Sequence, residues 1–458
     1  MPYSLKSGKT IQDMPKYKFV DLFSGCGGLS LGLSMAGLQG RFVAERDPMA
    51  FETFAENFLG DRKVPISKFA WPSWLEQRAW GIDDLLGKHY ANLVKLQGDI
   101  QVLAGGPPCQ GFSFAGRRQE DDPRNQLFEK YVQTVGAIKP NILILENVPG
   151  MMVAHSSKKG SDGAREQAAE SFYDKLKKSL EDIDYTVYGK IVDASLFGVP
   201  QRRSRLIVFG IKKDLASQLE REGTHVFDVL ESMRVEMLVK HGLPKTKLIS
   251  VEDAISDLLV CHTVKQSCTD PASPKGFEEA VYCGPKTNYQ RLMHKHCRGD
   301  TMDSMRLARH RDDVKARFKK IIKECAQGVR MNEKSRAKFG LKKHRIFPMS
   351  PWEPAPTITT LPDDVLHYFE PRILTVRESA RLQSFPDWFH FRGKFTTGGK
   401  RRTKECPRYT QVGNAVPPLL AEAIGLAVVY ILDRLEQAST QSSRSCVASQ
   451  QEPAVAAV

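Results

Sequence analysis

A cysteine stands behind two prolines in Gly105-Gly106-Pro107-Pro108-Cys109-Gln110-Gly111, directly after the apolar run from Gln101 to Ala104. The run reads as a short buried strand, and the prolines forbid a helical start while fixing the backbone that carries the thiol. A thiol so held is placed to act as a nucleophile once its surroundings favour the anion. Taken alone, the segment equally describes a buried turn around an inert cysteine. Other polar groups recur where apolar runs stop. Phe19 to Leu22 breaks at Ser24-Gly25-Cys26-Gly27-Gly28 and continues into a helical pattern. Glycines there let the backbone approach a ligand, and the helix behind offers free N–H groups. The spacing departs from the dinucleotide fingerprint, so the loop by itself names no ligand.

The run from Arg41 to Ala44 ends in Glu45, twenty residues beyond Gly25. A carboxylate there can accept both ribose hydroxyls of an adenosine, or it is a surface group at a strand end. Gln97-Gly98-Asp99-Ile100 and Ile142 to Leu145, running into Glu146-Asn147, add two more carboxylates. In an open parallel sheet the ligand crevice lies outside the carboxyl ends of the strands. Glu45, Asp99, Cys109 and Glu146 are therefore expected to converge on one edge of a doubly wound α/β sheet.

Charge points to a polyanionic partner. The chain of 458 residues carries a net +14, and residues 291–350 hold 18 Lys and Arg against 6 Asp and Glu. Such a patch can track phosphates, although from Arg306 to Lys323 the charges recur at helical spacing and fit a solvated helix face. Nine cysteines lack framework spacing, and neither a secretory signal nor an apolar run of membrane length is present. An intracellular location is expected, cytoplasm or nucleoid in a prokaryote, with no membrane partner.

Three further motifs complete an ordered series: Gln201-Arg202-Arg203-Ser204-Arg205, Arg377-Glu378-Ser379-Ala380-Arg381-Leu382-Gln383 and Gln411-Val412-Gly413-Asn414-Ala415-Val416-Pro417. From residue 19 to 417 the order resembles that of the DNA (cytosine-C5) methyltransferases. The resemblance implies an α/β fold, a Rossmann-like class I S-adenosylmethionine-dependent methyltransferase domain with a smaller inserted target recognition domain. It implies methyl transfer from S-adenosyl-L-methionine to C5 of a cytosine flipped out of double-stranded DNA. Cys109 would add to C6, Glu146 would hydrogen-bond N3 and the exocyclic amine, and Arg203 and Arg205 would stand at the target base. Phe23, Ser24, Gly25, Gly27, Gly28 and Glu45 would hold the cofactor. So would Arg46, Asp99, Ile100, Pro108, Asn414 and Ala415.

The expected organisation is a catalytic and cofactor-binding domain over 1–211 and a basic recognition domain over 212–394, organised by 372–390. A return to the catalytic domain over 395–436 and a disordered tail over 437–458 complete it. The short lead before Lys18 leaves no room for an N-terminal regulator, so a stand-alone, monomeric modification enzyme paired with a restriction endonuclease is expected. A tRNA methyltransferase and a silent DNA-binding paralogue are the alternatives. Three stretches depart from a minimal member. Residues 59–96, with Trp71, Trp74 and Trp80, read as added core. Residues 151–171 read as an exposed loop. Cys261, His262, Cys268, Cys283, His294, His296 and Cys297 contain no Cys-x-x-Cys pair, and no metal is expected.

Overall fold

The computed structural model describes residues 16–108, 127–153, 170–297, 302–341, 343, 345–398, 401 and 404–449, the last eleven of these as backbone only. Residues 109–126, Cys109 among them, and 154–169 lie outside the described residues.

Four apolar runs form the strands β1 (Lys18–Leu22), β2 (Gln39–Ala44), β3 (Val102–Gly105) and β4 (Ile142–Asn147). They are parallel, with Phe19 opposite Val102 and Gly105 opposite Leu145. Their side chains are almost all buried, as expected of strands covered on both faces. Strand alternation sorts them into two cores. Phe19, Val43, Val102 and Ile144 face one core, and Val20, Leu22, Leu103 and Leu145 face the other.

The sheet is not wholly parallel. Its order is β2-β1-β3-β4-β6-β5, where β5 is Tyr185–Asp193 and β6 is Ser204–Lys212. β6 runs antiparallel to both neighbours, with Asn147 opposite Leu206. Its first residues therefore lie at the edge where the parallel strands end.

Helix α1 (Gly28–Met35) packs on the long final helix, Pro418–Ser449, and α2 (Pro48–Phe58) joins the same core. Asp47 caps α2, accepting from the N–H groups of Met49 and Ala50. The opposite face is covered by α3 (Ile82–Val94), α4 (Leu127–Ile138) and α5 (Phe172–Glu181). The tryptophan-rich stretch adds core over β2, as expected. Phe69 meets Phe19 and Phe54 edge-on, and Trp71 and Trp74 both meet Phe42.

Two boundaries differ from the sequence reading. Helices α6 (Lys213–Arg221) and α7 (Val226–Lys240) follow β6 without leaving the large unit. Val229, Met233 and Met237 of α7 are buried in the core shared with the final helix, so that unit runs beyond residue 211. The final helix continues past Glu436 to Ser449, through the first part of the stretch expected to be disordered.

The inserted part carries α8 (Val251–Ile255), α9 (Asn288–His294), α10 (Asp312–Glu324), α11 (Glu333–Lys338) and α12 (Val376–Leu382). Phe318 and Ile321 turn α10 onto a small separate core with Met331, Ile346, Leu366 and Ile373. This leaves Lys315, Lys319, Lys320 and Lys323 exposed.

All seven residues of α12 are buried, charges included. Arg381 is met by Asp387 and Asp257, and Arg372 lies 2.7 Å from Glu378. Glu378 also closes a capping box with Thr375. Burial alone would push the Glu378 carboxyl up, but Arg372 and His367 outweigh it and hold it below the usual carboxylate range. Helix α13 (Arg408–Asn414) and the final helix, α14, return the chain to the sheet.

Removing one member of a buried charge cluster strands its partners. Arg381→Ala should cost about 3–5 kcal/mol, read as a lowered midpoint in urea unfolding. A loss below 1 kcal/mol would contradict this account of the helix.

Candidate active site

Glu146 is the fifth residue of β4 and sits where that strand leaves the core. Arg205 is the second residue of β6, whose antiparallel course starts at the same edge. Arg205 Nε lies 2.9 Å from Glu146 Oε1, and both side chains are nearly buried. Among the described residues Oε1 has no aligned hydrogen bond despite that distance, so its contact with Arg205 is an ion pair rather than a directed bond. The loop leading to Cys109 passes directly beside it. A Cβ on Gly106 would lie 3.5 Å from Glu146 Oε2, and Asn147 Nδ2 donates to Pro107 O at 3.0 Å. Pro107 is buried and Pro108 exposed at the end of the described stretch.

The glycine loop lies at the same sheet edge. Phe23 turns it with a φ of 61°, a strained value for a bulky residue, and its N–H donates to Ala44 O at 2.7 Å. Gly25, with φ 57°, has open space where a Cβ would stand. Gly28 is closed instead, because a Cβ there would meet Val416 O at 2.3 Å and Ala415 Cβ at 3.3 Å. The Asn414-Ala415 turn thus reaches the glycine loop as expected, with Asn414 exposed. Glu45 accepts from Gly25 N–H at 2.9 Å and Asp47 N–H at 2.7 Å. Burial raises the Glu45 carboxyl, and those two N–H groups oppose the rise. Arg46 is exposed beside it.

Three expected site residues, Asp99, Ile100 and Arg203, lie elsewhere. Asp99 precedes β3 rather than ending a strand, and it pairs with Lys18 at the amino end of β1 and with Arg41 at 3.8 Å. It occupies the opposite edge of the sheet, and Ile100 is buried in the core. Arg203 is also turned away from Glu146. It is 2% exposed and donates to Gly413 O, Ala415 O and Ile358 O. Burial, and then the neighbouring Arg205 charge, hold its pKa well below the ordinary guanidinium value.

The structure also supplies neighbours that the sequence reading missed. Trp80 N–H donates to Glu45 O at 2.8 Å, placing Trp80-Gly81 and the start of α3 beside the glycine loop. Gly81 followed by Asp83 and Asp84 is the signal for that helix start. Asp21 lies beneath the loop, accepting from Ser30 Oγ at 2.6 Å. His294, Cys297 and Asp387 offer three ligand atoms within 4.8 Å of one another. Both Asp387 oxygens already accept from Arg381, and burial pushes the Cys297 thiol up to about 11.

The family model of C-5 cytosine-specific DNA methylases matches residues 17–429. The chain belongs to this family. It is a DNA (cytosine-5-)-methyltransferase. The type II methyltransferase M.DdeI of Desulfomicrobium norvegicum is 29% identical, covering 91% of this chain and 89% of its own. The type II methyltransferase M1.HphI of Haemophilus parahaemolyticus is 30% identical over 90% and 86% of the two chains. A crystal structure described as a DNA modification methyltransferase encoded within an E. coli prophage shares the fold. It has a TM-score of 0.57 and 24% identity, and the match covers 91% of this methyltransferase and 100% of that chain. Among the described residues no single helix is long and apolar enough to cross a membrane.

Burial raises the Asp21 carboxyl to about 7, with Ser30 opposing and the Glu45 charge adding to the rise. The unfolded value is about 3.9, so the neutral acid stabilises the fold fully below that pH. The contribution is lost as pH rises through 7. Asp21→Asn cannot ionise and should gain on the wild type by at most about 4 kcal/mol between pH 4 and 8. Urea unfolding at each pH checks this, and a pH-independent difference would refute the assignment.

Proposed function

We propose that this methyltransferase transfers a methyl group from S-adenosylmethionine to C5 of a flipped-out cytosine in a specific duplex DNA sequence. The reaction would run through a covalent adduct between Cys109 and C6, in the modification arm of a type II restriction–modification system. The observation that carries the proposal is the Arg205–Glu146 pair, 2.9 Å apart beside the backbone that leads to Cys109. The type II names of the relatives support the system, and a cognate endonuclease is its expected partner.

Cytosine C5 is a poor nucleophile until a group adds at C6. The Cys109 sulfur would form the S–C6 bond with its electron pair, moving the ring electrons to C5. A proton held between Glu146 and N3 would neutralise the ring as the sulfur adds, Glu146 would also accept from the exocyclic amine, and Arg205 would take the ring carbonyl oxygen. After alkylation at C5, loss of the C5 proton would return the electrons and expel the sulfur as thiolate. Neither C6 nor N3 of a paired cytosine is accessible to these side chains, so the base must leave the stack. No step needs a metal.

The glycine loop fits the methyl donor. Among the described residues Ser24 Oγ is buried with no partner, and none of them fills the space over Gly25. Phe23, Ser24, Gly25, Gly27 and Gly28 would cradle the nucleoside and its chain, Glu45 the ribose, and Arg46, Pro108, Asn414 and Ala415 the rim. Bound there, S-adenosylmethionine would supply an electrophilic methyl group. The exposed lysines of α10 would contact DNA phosphates, and the inserted domain would carry target recognition, organised by 372–390.

Radiolabelled methyl transfer to mixed-sequence duplex DNA and to total tRNA tests this. DNA alone should be labelled, and Cys109→Ser should abolish labelling. Glu146→Gln should lower kcat by about 10²–10⁴ with little change in DNA affinity. Label in tRNA alone, or cofactor binding without transfer to either nucleic acid, would overturn the proposal.

A further inference from the structure

Arg203 is a buried cation among the described residues with no carboxylate in ion-pair range. Its Nη2 donates to Gly413 O at 3.0 Å and Ala415 O at 3.1 Å, its Nη1 donates to Ile358 O at 3.3 Å, and Nε has no partner. A guanidinium compensated by carbonyls alone is a poor device for stability, since apolar packing of the same volume would avoid its desolvation. What distinguishes it is the set of segments it joins.

The Gly413-Ala415 turn rests on the glycine loop through the close approach of Val416 O and Ala415 Cβ to Gly28. Ile358 belongs to the segment 355–360 of the inserted part. That segment is pinned to the approach of β6, because Ile358 N–H donates to Gln201 Oε1 at 2.8 Å and Thr357 Oγ1 to Arg202 O at 2.7 Å. It also lies flat on the turn, where a Cβ on Gly413 would meet Thr359 O at 2.4 Å. The Arg203 backbone in turn is held by Asp193 and Ala194, two residues before Arg205. One side chain thus spans the glycine loop's lining, the inserted domain and the strand start that aims Arg205.

We propose that Arg203 is a positioning residue that couples occupancy of the glycine loop to the seating of the inserted domain on DNA. The proposal rests on the reading of that loop as the methyl-donor site. A ligand drawn against the 413–415 turn would order Ile358 and Arg205 through the same guanidinium, and linkage requires the effect to run both ways.

The test measures the affinity of the full-length protein for a labelled mixed-sequence duplex, with and without saturating S-adenosylhomocysteine. It also measures the affinity for S-adenosylhomocysteine alone. In the wild type the nucleoside should tighten DNA binding by about 5-fold or more. Arg203→Met should bring that ratio close to one, and Arg203→Lys should keep part of it. Gly413→Ala, which forces the turn and segment 355–360 apart while keeping Arg203, should also lose the ratio. A merely structural role would weaken each ligand separately and leave the ratio unchanged, which would overturn the proposal. So would a wild-type ratio near one. A wild type that binds DNA but not the nucleoside would instead overturn the reading of the glycine loop and the coupling with it.

Discussion

The reversed direction of β6 is the constraint on which the site depends. Parallel strands bring Leu22, Ala44, Gly105 and Leu145 to one edge, but each next parallel strand could offer that edge only its last residues. Running β6 the other way delivers its beginning there instead, so Arg205 arrives beside Glu146 from a chain segment that has just left the inserted domain's side. The same reversal fixes what lies before it: Gln201 to Arg203 must cross the gap between the large unit and the segment 355–360.

That gap is filled with polar side chains whose partners are other parts of the chain. Gln201 donates to Gln383 Oε1 at 2.9 Å, Gln383 donates to Val412 O at 2.7 Å, and Gln411 receives Thr53 Oγ1 at 2.7 Å. Arg377 donates to the carbonyls of Asp303, Pro386 and Phe389. An apolar seam could slide, whereas directed bonds between buried amides and carbonyls tolerate one register, because every displaced donor would be left unpaired. The two units share a continuous core, and these bonds set how it is aligned.

Much of this was legible from residue types. The glycine loop, Glu45 and Glu146 lie at the ends of strands, a position legible because an apolar run followed by a polar residue marks a strand's end. The tryptophans of 71, 74 and 80 joined the core because large aromatic side chains outside a motif are burial signals. Asp99 failed by the same rule read backwards: a polar residue also precedes a strand, and the apolar pattern has no direction. Arg203 and Arg205 are two apart, a spacing that shares one face along a strand, but β6 begins at Ser204. Arg203 lies before the strand, where the chain is still bending, and its side chain follows the contacts of Gln201 rather than those of Arg205. The antiparallel course of β6 follows once the strands are known, because the ten residues between β5 and β6 are too few for a crossover.

The geometry of the pair also bears on when the proposed chemistry can start. While Arg205 faces Glu146 Oε1 at 2.9 Å, that oxygen is turned to a cation and is not free to meet N3 of a pyrimidine. On the proposed mechanism the flipped base must take Glu146 for its own N3 and amine and offer its carbonyl oxygen to the guanidinium in exchange. Both groups then keep a partner, so the exchange avoids leaving either one unpaired in a nearly buried site. A base lacking that carbonyl, or lacking the donor and acceptor edge for Glu146, would break the pair without replacing it. Selection for cytosine would then begin before any sulfur attack, in the cost of separating Arg205 from Glu146.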